Sequence, residues 1–197
     1  MNLLELANAY LTDRHSPFNS AVKPLRYVTK EGYKRLIGRL VRELGDRDLG
    51  AMGSRDFLEL HAAWVIGERV AMAHSLATML RTLIGFGATI LESPECQRLK
   101  GLLSGLRFQA AKRRTVWLTA DQADAIRDEA SENEYYCVAL AQAFQQDTAL
   151  RQKDILGEWV PVNDPVLSAV LSPDRKWKWV RGITREEVNA DLILTHK

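Results

Sequence analysis

Between Arg69 and Ile90 the sequence describes a helix too one-sided to stand alone. At 100° per residue, Met72, Leu76, Met79, Leu80, Leu83, Phe86 and Ile90 fall within an arc of roughly 120°. A helix with such a face has to bury it, so these residues are expected in a core. His74, Ser75, Thr78, Arg81, Thr82 and Gly85 occupy a similar arc on the opposite side. They make a polar strip with small residues, able to approach another surface closely. Gly85 and Gly87 each weaken a helix by up to ~1 kcal/mol relative to Ala, so they mark a kink or close packing.

The flanking sequence supplies partners for that helix. Residues 2–12 form a short apolar-periodic segment that stops near Ser16-Pro17. Thr29 is placed to cap a helix running to Leu44, closed by Gly45-Asp46. Its buried face is Tyr33, Leu36, Ile37, Leu40 and Leu44; its basic face is Arg35, Arg39 and Arg42. Ser54 is read as the cap of a helix to about Ile66, and Ser93-Pro94 as the start of one to about Leu106. Residues 1–108 therefore read as one helical module.

Charge divides the chain in the same way. Residues 1–118 hold 18 Lys+Arg against 11 Asp+Glu, while 119–197 hold 9 against 14, so a formal +7 meets a formal −5. The overall +2 conceals this. A basic module joined to an acidic one makes the first the candidate for a polyanion such as nucleic acid; the alternative is an ordinary solvated surface. The only basic cluster, Lys112-Arg113-Arg114, lies at the boundary, within a predicted linker over 109–118.

The second module, 119–197, opens with Leu118-Thr119-Ala120-Asp121-Gln122, a capping-box-like start for a helix to about Ala130. Another helix is expected over about 134–147. Pro161, Pro165 and Pro173 then bracket a loop-rich stretch. Trp177-Lys178-Trp179-Val180-Arg181 reads as a short strand or the run into a turn, and Leu192-Ile193-Leu194-Thr195 as a strand. The tryptophans, flanked by Arg175, Lys176, Lys178 and Arg181, suit base stacking or a structural aromatic pair, with the second favoured.

Composition excludes several classes. No apolar run reaches the ~18 residues of a membrane span. The first residues carry no basic region or cleavage site of a signal peptide. Cys96 and Cys137 lack metal spacing and make no disulfide framework, so both are expected to be reduced and structural, in a cytoplasmic protein. No His/Cys spacing suggests zinc.

One arginine stands in a distinctive setting. The segment Ala139-Leu140-Ala141-Gln142-Ala143-Phe144 leads to Thr148-Ala149-Leu150-Arg151-Gln152-Lys153-Asp154, and Gly157-Glu158-Trp159-Val160-Pro161 follows. Taken alone, Arg151 is a basic residue near a helix start, ordinarily a surface ion pair. The wider series resembles the first catalytic motif of the tyrosine recombinases, the phage-integrase family. Val180-Arg181-Gly182-Ile183-Thr184-Arg185-Glu186-Glu187-Val188 and Asp191-Leu192-Ile193-Leu194 continue in that family's order. The stretch Val70-Ala71-Met72-Ala73-His74-Ser75-Leu76 with Met79-Leu80-Arg81 resembles the long DNA-facing helix of its core-binding domain. The resemblance covers roughly 25–197. It departs at Ala149, where the family usually has Gly, and at Asp154, where Glu is common.

That resemblance implies a mainly α chain: a helical SAM-like core-binding domain, then the N-terminal α+β part of a tyrosine-recombinase catalytic domain. It implies that Arg151 clamps the scissile phosphate and that Asp154 supports it. A guanidinium donates two hydrogen bonds to nonbridging oxygens in a way lysine cannot match. The expected contacts with double-stranded DNA are Arg35, Arg39, Arg42, His74, Thr78, Arg81, Lys112, Arg113 and Arg114. The family works without a metal or a high-energy cofactor. Its His-x-x-Arg motif and C-terminal tyrosine have no counterpart here, since all five tyrosines precede Arg151. The expectation is a DNA-binding relative of the integrases, acting in DNA integration or recombination, cut short and incompetent for cleavage alone. Other recombinase subunits are possible partners. The alternative reading is a helical protein-binding adaptor, or a recombinase remnant without function.

Overall fold

The computed structural model describes residues 1–112, 115–189 and 194–195. The protein is mainly helical and divides into two compact units, Met1–Arg113 and Arg114–Lys197. The division falls inside the 109–118 stretch.

In the first unit, α1 (Leu3–Thr12) begins with a reciprocal cap. The Asn2 side chain accepts from the Glu5 amide at 2.8 Å, and the Glu5 carboxylate accepts from the Asn2 amide at 3.0 Å. Helix α2 (Tyr27–Leu44) starts earlier than Thr29, with Arg26 extended at the N-cap position. Leu25 packs against the core just before it, so the chain turns helical as soon as that anchor is set. Helix α3 (Ser54–Val65) is capped from inside rather than by Ser54. The Asp56 carboxylate accepts from the Gly53 amide at 2.8 Å, which places Ser54 in the first turn. Gly67 and Glu68, both at positive φ, end the segment.

Helix α4 (Val70–Thr89) packs against α1, α2, α3 and α5 (Pro94–Gly105). Its buried residues are Ala73, Leu76, Ala77, Met79, Leu80, Leu83, Ile84, Phe86, Gly87 and Ala88. The covered arc is therefore wider than the sequence suggests, roughly 200° at 100° per residue. Small alanines extend it, because they admit neighbouring helices without adding apolar bulk. Met72 and Ile90, expected in the core, are each 42% exposed. They share the core azimuth but lie at the ends of the helix, Met72 in its first turn and Ile90 at the C-cap position. Gly87 is a close-packing site: a Cβ there would stand 2.5 Å from Cys96 Sγ and 2.9 Å from Leu6. Gly85 faces open space. At α5 the Ser93 hydroxyl accepts from the Cys96 amide and Pro94 occupies the first turn, as expected. Tyr10 sits edge-on to Phe86 at 5.4 Å, and burial, with Tyr33 adding to it, pushes its hydroxyl up to about 12.

The second unit contains α6 (Ala120–Glu132), α7 (Tyr136–Thr148), α8 (Gln152–Leu156) and an antiparallel pair, β1 (Glu158–Pro161) with β2 (Trp177–Val180). Thr119 and Gln122 form the expected capping box. The register pairs Glu158 with Val180, Trp159 with Trp179 and Pro161 with Trp177. Val160 and Val180 are buried, while Trp159 and Trp177 remain exposed on the other face. Of the strand predicted over Leu192–Thr195, Leu192 and Ile193 lie outside the described residues; Leu194 bridges Val188.

Candidate nucleic-acid interface and the Arg151 corner

On α2, Arg35 and Arg42 are exposed, and Arg39 is half-buried. The spacing of the three sets them on the side away from Ile37, Leu40 and Leu44. Arg39 Nε donates to Glu43 Oε1 at 2.8 Å, and Trp64 Nε1 donates to Glu43 Oε2 at 2.5 Å. Burial alone raises the Glu43 carboxyl. The hydrogen bonds from Arg39 and Trp64, with the charges of Arg39 and Arg42, outweigh this and hold it below its ordinary value. Glu43 was not legible as part of this surface, because Trp64 lies 21 residues away and no helical spacing links them.

The polar strip of α4 meets α2 in a cleft of about 330 Å³, lined by Tyr33, Leu36, His74, Ser75, Thr78, Met79 and Thr82. His74 and Thr78 are thus brought together. The hydroxyls here bond inward: Thr78 Oγ1 donates to the His74 carbonyl at 2.8 Å, Ser75 to Ala71 at 3.0 Å and Thr82 to Thr78 at 3.0 Å. With their protons turned to the backbone, they offer acceptors outward, so Thr78 must rotate before it can donate to a phosphate.

Arg81 is engaged elsewhere. One terminal nitrogen donates to the carbonyls of Leu103 at 3.1 Å and Leu106 at 3.0 Å, satisfying the exit of α5. Its guanidinium carbon also lies 4.9 Å from the centre of the Phe108 ring. Lys112 is exposed; Arg113 and Arg114 lie outside the described residues.

Arg151 occupies the N-cap position of α8, with an exposed side chain. Its carbonyl accepts from the Asp154 and Ile155 amides at 2.8 and 3.2 Å. Asp154 is half-buried in the first turn of the same helix. The approach to Arg151 is a left-handed residue, Ala149 at φ 53°, which ends α7. A cluster the sequence did not reveal fixes the far side of α8. Glu158 accepts from Arg181 and faces Lys153 Nζ at 3.6 Å. Trp179 Nε1 donates to the Leu156 carbonyl at 2.8 Å, and its ring covers Gly157, where a Cβ would stand 2.5 Å away. Trp179 is therefore a structural wedge. The pairing of β1 with β2 creates these contacts across 23 residues, beyond any local pattern.

Next to α8 lies a groove of about 270 Å³ lined by Cys137, Val138, Ala141, Gln142, Gln145, Gln152, Ile155 and Leu156. Cys137, expected to be structural, is exposed there, because α7 buries none of its residues. Cys96 is fully buried, and burial pushes its thiol up. Among the described residues no group of three or more His, Cys, Asp or Glu is placed to hold a metal ion, and no helix is long and apolar enough to cross a membrane. No family model, no curated protein and no solved structure matches this chain.

Proposed function

We propose that the first unit binds duplex DNA as a helical SAM-like core-binding module, and that the Arg151 corner corresponds to the first catalytic motif of the tyrosine recombinases. One observation carries the DNA-binding reading. Tyr33 and Leu36 of α2 and the polar strip of α4 line one cleft, and the same helix α2 carries the exposed Arg35 and Arg42, on the unit that holds the positive charge. Arg35 and Arg42 are exposed to meet phosphates. Arg39 has its Nε engaged by Glu43, which leaves its terminal nitrogens as the fork for an anion. His74 adds a donor at the cleft.

Ala149 supports the second half of the proposal. The backbone before Arg151 takes the left-handed conformation that favours glycine, at the position where the recombinase family usually has one. The 197 residues hold no tyrosine after Arg151 and no His-x-x-Arg motif. A polypeptide of this sequence is therefore expected to bind DNA without forming a covalent adduct on a nicked substrate. An adduct that survives denaturation and vanishes on replacing one tyrosine would overturn this.

The binding test is salt dependence. Each phosphate contact on B-DNA contributes about −0.9 to the slope of log K against log salt. Replacing Arg35, Arg39 and Arg42 together by Ala should flatten the slope by between about 2 and 3. Absence of binding at low salt sinks the reading.

A second reading, a protein-binding adaptor, has one observation in its favour. Val138 and Leu156 are 50% and 48% exposed in the lining of the α7–α8 groove. It predicts that Val138→Asp leaves DNA affinity unchanged while abolishing association with a partner, such as another recombinase subunit.

A further inference from the structure

The chain leaving α5 is held to the first unit by a catch built around Phe108. His61 of α3 stacks on the Phe108 ring, with centroids 4.7 Å apart and planes at 22°. Arg81 of α4 stands over the same ring and bonds the carbonyls of Leu103 and Leu106. The held segment, Leu106–Phe108, comes immediately before the stretch that joins the two units. His61 is 6% exposed, and its Nε2 has no hydrogen-bond partner. A proton arriving at that nitrogen meets no acceptor in a site closed to water.

The surrounding charges act in the same direction. Burial first, and then His74 of α4, hold the His61 pKa below its ordinary value. Arg81, also on α4, already supplies a cation to the Phe108 ring. On α2 the nearest acid in the network is Glu43, which is engaged by Arg39 and by Trp64, one turn along α3 from His61. On α5 and its exit, Lys100 and Arg107 are exposed, Arg98 is bound to the carbonyls of Leu49, Gly50 and Met52, and Glu95 bonds Ser93. No described carboxylate is seen to receive a proton-bearing His61.

We propose that His61 is a pH-sensitive catch for the segment leaving α5: neutral, it clamps Phe108; protonated, it releases Leu106–Phe108 from the first unit. The sign follows from linkage. A histidine held below its ordinary pKa takes up a proton on release. The clamped state is thus fully favoured above about 6.5, the unperturbed histidine value, and loses ground as pH falls below it.

The test uses the full chain with Cys137→Ser and a nitroxide attached at Ala110→Cys, two residues past Phe108; Cys96 is fully buried. Electron spin resonance from pH 8 to 5 should show a reversible gain in label mobility, beginning below about pH 6.5, while near-ultraviolet circular dichroism stays constant. His61→Phe keeps a ring against Phe108 and should remove the transition. His74→Asn should retain it, and Phe108→Ala should give a mobile label at every pH. A label indifferent to pH, the same transition in His61→Phe, or mobility gained only together with loss of the near-ultraviolet signal would each overturn the proposal.

Discussion

Helices α4 and α7 show how differently the two units hold themselves together. Helix α4 has 20 residues and buries ten; α7 has 13 and buries none. Around α4 the first unit gathers residues from all five of its helices into one apolar cluster that includes Leu6, Leu40, Phe57, Leu83 and Leu99. Among the described residues of the second unit the buried apolar ones are Ala123, Ala130, Ile155, Val160 and Val180. Two of these are alanines, which contribute little area. The second unit is fastened instead by polar and aromatic contacts over a small patch: the Glu158 ion pairs, the Trp179 wedge and the hairpin. Apolar burial is the main favourable term in folding. The first unit therefore rests on a broad apolar core, and the second on α6 packed against α7 through small alanines, together with the contacts of α8 and the hairpin.

Truncating the same side chain in each unit is the most forceful way to break this comparison. Leu83→Ala removes a fully buried leucine from α4 and should destabilise the first unit by about 3–5 kcal/mol. Leu140→Ala on α7 removes one that is 59% exposed and should change stability by less than about 0.5 kcal/mol. Hydrogen exchange of the whole chain, read by mass spectrometry, reports each unit separately. Equal effects would mean that α7 is covered in solution.

Two glycines on α4 sharpen the contrast within the first unit. Gly87→Ala drives a methyl into Cys96 and Leu6 and should destabilise by about 1–3 kcal/mol, as overpacking does. Gly85→Ala meets open space and should stabilise by up to ~1 kcal/mol through helix propensity. Thermal unfolding distinguishes them by sign.

The smallest expected effect lies in the second unit. Ala149→Gly should relieve a left-handed alanine and stabilise the α7–α8 corner by about 1 kcal/mol. Slower exchange at the Asp154 and Ile155 amides would register it. No gain there would mean that glycine's greater freedom in the unfolded chain cancels the relief.

Much of the first unit was legible because its signals are local. The cap at Ser93-Pro94 and the period of α4 each depend on neighbours within a few residues. The same holds for the Thr119–Gln122 box in the second unit. Thr29 and Ser54 misled as caps because an anchored Leu25 and an inward-reaching Asp56 set those helix starts. Met72 and Ile90 misled because periodicity gives an azimuth and does not mark the ends of the helix, where both lie. The basic residues of α2 were visible as a face, yet their sorting was not. Arg39 is tied to Glu43, and Arg81 is diverted to the exit of α5 by carbonyls 22 and 25 residues away.

The sequence by itself determined the helical character of the chain, the split of charge between its halves, and the small and apolar pattern that makes α4 a hub. These follow from spacing and residue type along one segment. Only the tertiary structure decided which cations remain available, that α2 and α4 share a cleft, that Trp179 serves as a wedge, and that His61 and Arg81 meet on Phe108. Each of these depends on side chains brought together from distant positions, where packing rather than local period sets the distance.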